Sequence, residues 1–158
     1  MGGWPRCATK TYNRKLDLNN IYVCHIIMSV LKAFNSHLIE FADDIIQLFP
    51  DDTNIKATKV FLSGLQKVNP KSIIVAWKDW IIAPYRPQIR KGDFEFFINK
   101  DYTSDVGQGS AGNGGEVLKS IEVIRARIRT MSKDNQEKSM KYVQNLTKLC
   151  DMYFNNSK

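Results

Sequence analysis

Phe34, Leu38, Phe41, Ile45 and Leu48 step along the chain at alternating intervals of four and three, and the same step returns at Val117, Ile121, Ile124, Ile128 and Met131. A repeat near 3.6 residues puts each set on one face of a helix, and each face must be buried against something. Between them, Ile73 to Ile82 is apolar nearly all round. A helix of that kind is surrounded by others, so it marks the centre of the core, with Trp77 and Trp80 in it. Together these segments predict an all-α fold, a small multi-helix bundle of about five helices. The β-branched residues of the central run leave a buried strand as the alternative there.

The punctuation agrees with helices. Pro50-Asp51-Asp52 ends the first, which is read from Ser29 to Phe49. Asp51 or Asp52 caps a second, with Ile55, Phe61, Leu62, Leu65 and Val68 facing inward. Asn69-Pro70 is a cap followed by proline at the first helical position, where the missing N–H costs nothing. Pro84 and Pro87 are expected to break the chain after the third helix, and Gly92 to close a short turn from Tyr85 to Lys91 in the left-handed conformation. Asp93 caps a short helix carrying Phe94, Phe97 and Ile98, or opens a short edge strand. Asp134 with Glu137 resembles a capping box for the last helix, which presents Val143, Leu146, Cys150 and Tyr153.

Residues 107–115 hold five glycines in nine positions and read as a flexible linker. It divides a helical core lobe, 28–106, from a helical hairpin, 116–158, that packs on it. Residues 1–27 lack a helical period and read as a disordered or non-native extension, with Met28 as the natural start. The most apolar run there, Ile21 to Leu31, is interrupted by His25 and falls short of the ~20 residues a membrane span needs. Lys32-Ala33-Phe34-Asn35 after it offers no small-residue cleavage site. Neither a membrane nor secretion is expected. The three cysteines, Cys7, Cys24 and Cys150, fit neither a disulfide framework nor paired metal ligands, which favours a reducing compartment.

Chemistry is sparse. His37, Glu40 and Asp44 share a helix face close enough to hold a metal or a proton, but that is also the solvent face of an amphipathic helix. No lysine follows the glycine run as a phosphate-binding loop requires, and no serine sits in a Gly-x-Ser-x-Gly elbow. Cys150 lies on an apolar face and reads as core. The expectation is a protein that is not an enzyme and uses no metal or cofactor.

The formal charge is +7, and Arg6, Lys10, Arg14 and Lys15 against Asp17 place +3 of it in residues 1–27. The remainder is mildly basic. Lys78, Tyr85, Arg86, Arg90 and Lys91 could grip phosphates or an acidic partner around the proline break, and Arg125, Arg129 and Lys133 form a second stripe. Glu122 and Asp79 beside them also fit an ordinary mixed solvated face.

Several stretches carry a resemblance: Phe34-Asn35-Ser36-His37-Leu38-Ile39-Glu40-Phe41, Leu48-Phe49-Pro50-Asp51-Asp52, Ala76-Trp77-Lys78-Asp79-Trp80 and Gly92-Asp93-Phe94-Glu95-Phe96-Phe97. From Met28 to the C-terminus the chain resembles a family of small uncharacterised helical proteins encoded by nucleocytoplasmic large DNA viruses of algae and other protists. The resemblance implies a viral protein in the host cytoplasm of an infected cell or in the virion. It carries no catalytic residues over. The expected role is therefore protein–protein interaction through exposed helix faces, with another viral protein or a second copy as partner. A nucleic-acid-associated factor using the basic stripes is the alternative.

Overall fold

The computed structural model describes residues 14–100 and 114–157. Its elements, in chain order, are α1 (Arg14–Leu48), α2 (Thr53–Val68), α3 (Ser72–Ala76), a π-helical segment (Trp77–Ile82), α4 (Ala83–Lys91), α5 (Phe94–Asn99), α6 (Gly114–Ile128) and α7 (Lys133–Asn156). There is no strand among the described residues, so the fold is all-α and the two strand alternatives are excluded.

Most of the stepped residues do what their spacing demands. Phe34, Leu38, Phe41 and Ile45 of α1 are buried, with α7 along them, while Leu48 at the end of the helix is 46% exposed. Tyr142 of α7 stacks on Phe41 with ring centroids 4.7 Å apart. It also donates its hydroxyl to Asp44 at 2.7 Å, beside an ion pair between Lys138 and Asp44 at 2.7 Å. On the other flank of α1, α2 buries Ile55, Leu62 and Leu65, and Gln66 donates to the Asn35 carbonyl at 3.0 Å. Val117, Ile124 and Ile128 of α6 are buried where that helix crosses α2 and α3. One continuous apolar cluster joins all of these, with α3 and the π segment inside it.

Caps form where short polar side chains precede a helix. Asp52 accepts from the N–H groups of Asn54 at 2.9 Å and Ile55 at 3.2 Å, and Asp93 from Phe96 at 3.1 Å. Gly92 has φ +65°, a conformation in which a Cβ would be strained, and the N–H groups of Gly92 and Asp93 return to the Ile89 and Gln88 carbonyls. The last helix starts differently from the capping box read at Asp134. Ser132 is its cap, accepting from Asn135 at 3.5 Å. Likewise α3 begins at Ser72, two residues beyond Pro70, after a turn in which the Ser72 N–H returns to the Asn69 carbonyl at 3.1 Å and the Pro70 carbonyl accepts from Asn35 at 2.9 Å.

One expectation from the sequence is borne out at the prolines, and another is corrected. Tyr85, between Pro84 and Pro87, leaves helical geometry at φ −126° and ψ 15°, so Ala83–Lys91 consists of two helical pieces joined across a kink. Proline supplies no N–H, and its ring clashes with the carbonyl four residues earlier, which interrupts a helix at such a place. The correction concerns the start of the fold. Residues 14–27, expected to be irregular, are the opening turns of α1. Of the 107–115 linker, only Gly114 and Gly115 fall among the described residues, and they open α6.

Because α1 fuses the run before Met28 with the core helix after it, Leu18–Leu48 is long and apolar enough, by length and composition, to cross a membrane. From Val30 onward that helix is the floor of the core, and spanning a bilayer would strip it from its partners.

Candidate functional site

The basic residues singled out from the sequence are mostly spent on holding the fold. Arg86 lays both terminal nitrogens on the carboxylate of Asp151 in α7, each at 2.8 Å, and that carboxylate pushes the guanidinium's pKa still higher. Tyr85 is buried among Phe96 and Phe97 and accepts from Lys100. Arg125 donates to the carbonyls of Phe97 and Lys100 and pairs with Glu122, and Arg129 donates to the Ile98 carbonyl. Two guanidinium groups thus close the C-terminal end of α5, where helix carbonyls lack partners. Lys78 lies over the Phe154 ring at 4.3 Å. Arg90, Lys91 and Lys133 are exposed. Arg86 and the pair Arg125 and Arg129 therefore face different partners, on α7 and on α5.

The acidic face of α1 resolves in the same way. His37 approaches Glu40 at 3.3 Å, but its ring tilts against Tyr142 at 4.8 Å, while Asp44 is taken by Lys138 and Tyr142. Lys138 first, and then the Tyr142 hydroxyl, hold the Asp44 carboxyl below the usual range. Burial, followed by the hydrogen bond to Asp44 and then that carboxylate's charge, pushes the Tyr142 phenol up to about 12. A phenol so hard to ionise is poorly suited to acid–base work near neutrality. Among the described residues no three His, Cys, Asp or Glu side chains gather as a metal site.

A run of exposed apolar side chains lies at the start of α1. Leu18 is 68% exposed, Ile21 51%, Tyr22 68% and Met28 39%. Leu18, Ile21, His25 and Met28 step three, four and three, the a and d spacing of a two-helix seam, with one polar residue in it. Ile26 and Ile27 touch the core, and Val30 is the first fully buried side chain, so the seam belongs to an arm projecting from the bundle. At its root, a groove of about 670 Å³ runs between α1 and the end of α2, lined by His25, Met28, Lys32, Gln66, Lys67 and Pro70.

Sequence reasoning missed this arm. Its signal was present in the three-four step, but His25 on the stripe and Asn19-Asn20 between the apolar positions hide the period. Cys24, also on the arm, is disulfide-bonded, and Cys150 is a free thiol. This corrects the reading of unpaired cysteines, since an odd count leaves one thiol over without forbidding a pair. Comparison of the chain with protein-family models, curated proteins and solved structures finds no match.

Proposed function

We propose that this is a non-enzymatic interaction protein that assembles through the arm of α1, and that the arm's first partner is a second copy of the chain. The observation that carries the reading is the exposed stripe of Leu18, Ile21 and Met28 around His25. Apolar side chains held facing water cost free energy that an apposed apolar stripe recovers. Two copies related by a two-fold axis present identical stripes to each other, and a single polar residue on such a seam sets register at some cost in stability. The resemblance of residues 28–158 to proteins of large DNA viruses supports an infected cell or the virion as the setting. Peptides of the chain in purified particles would favour the virion, and their confinement to the cell fraction would remove it.

Light scattering tests the assembly. The protein is expected at twice its 18.1 kDa chain mass, and the double variant Ile21→Glu with Met28→Glu at the single mass. Its helical circular dichroism should be little changed, because neither side chain is fully buried. Two carboxylates on a seam of this size are expected to weaken the dimer by about a hundredfold or more. A strictly monomeric native protein at tens of micromolar overturns the self-assembly reading.

A further inference from the structure

A cleft of about 340 Å³ lies between α1, the π segment, α5, α6 and α7. Leu38 and Phe41, Trp77 and Ile81, Phe97 and Ile124 form its walls. The volume is in the range of small-molecule pockets and more than twice the ~150 Å³ at which a dry apolar void already admits benzene. Interiors otherwise pack to crystal-like density, so a void this large beside fully buried neighbours is an exception to the rest of the core. The backbone supplies a second observation. Trp77 and Ile81 reach the wall from the six-residue π segment, a geometry that is rare in helices and recurs where side chains are aimed at a ligand.

The charges at the rim define the occupant. Lys119 pairs with Glu116 at 3.0 Å, and Arg125 with Glu122 and with the carbonyls of Phe97 and Lys100. Each positive group already faces a negative one, so a carboxylate or an ammonium head would have to break a pair to be held. In the wall, Ser139 spends its hydroxyl on the Asn135 carbonyl at 2.8 Å. We infer that the cleft binds an uncharged apolar molecule of the fatty-alcohol or isoprenoid class, its chain between Phe41 and Trp77 and its polar end toward the rim. This inference is independent of the arm.

1-Decanol and decanoate share a chain and differ in the charge of the head. Titrated calorimetrically into the full-length protein, decanol is expected to bind one to one and to raise Tm, with decanoate about tenfold or more weaker because its charged head at the rim meets Glu116 and Glu122 and would have to displace one of them from its ion pair. Ser139→Leu places new carbons in the void and is expected to raise the Tm of the free protein while weakening decanol by about tenfold. Should that variant fail to fold, Val143→Ile, on the same wall, carries the test. Decanoate binding as tightly as decanol overturns the uncharged ligand. Binding of neither, or decanol affinity unchanged in the folded variant, overturns the site.

Discussion

Phe34→Ala is expected to remove about 3–5 kcal/mol of stability, read as a lower urea midpoint at constant slope. Phe34 is fully buried and meets Trp77 edge to face, with centroids 6.0 Å apart and planes at 74°. Truncation loses the apolar area of the ring and the aromatic pair, and leaves a hole between two helices that α7 and α2 fix from outside. A domain of this kind is stable by about 5–15 kcal/mol, so the variant is at best marginal at 37 °C. Val60→Ala is the control. Val60 is 72% exposed on α2, and its loss should shift the midpoint by no more than about 0.5 kcal/mol. If the two variants unfold alike, the core is not centred on α1 and the π segment.

The helices were legible because their burial is periodic, and a stripe such as Phe34, Leu38, Phe41 and Ile45 survives any change of partner. What escaped was set by tertiary contact. The π segment has no local signature, since Trp77, Ile81 and Ile82 are buried and Lys78 and Asp79 exposed, a pattern that an α-helix also produces. The interruption at Pro84 and Pro87, by contrast, was legible, because the ring clash and the missing donor are local, and Tyr85 between them leaves helical geometry. The arm was read as irregular for a different reason: among the described residues its apolar face is largely exposed, with Leu18 at 68% and Ile21 at 51%, so no buried stripe marks it.

The candidate binding residues were legible as charges and not as partners. Arg125 and Arg129 lie four apart and look like a stripe offered to solvent, whereas the carbonyls they serve belong to α5, 25 or more residues away in sequence. Arg86 and Asp151 are 65 positions apart. Composition records that such groups exist, and only the packing of α7 against α4 decides that they neutralise each other.

The same packing gives the chain a weakness in alkali, centred on Cys150. Its side chain is fully buried, its thiol faces the Ile74 carbonyl at 3.5 Å, and burial first, then the charge of Asp151, pushes its pKa from 9.0 to about 12. In the unfolded chain the thiol ionises near its ordinary value, so the folded state holds a proton that the unfolded state has given up. A pKa raised on folding contributes stability that is complete below pH 9 and lost as pH climbs toward 12. A shift of this size corresponds to about 4 kcal/mol, arriving at roughly 1.4 kcal/mol per pH unit. Tyr142, pushed up to about 12, and Tyr153, raised by burial, act in the same direction, but only from about pH 10, where unfolded phenols begin to ionise. Between pH 9 and 10 the thiol stands apart from them. Urea midpoints measured across that interval should fall for the native protein and stay nearly level for Cys150→Ala, whose cavity lowers the whole curve without tilting it. Equal slopes in the two proteins would show that the thiol reaches water in the folded state, and that α7 is not seated on α3 as the burial of Cys150 requires.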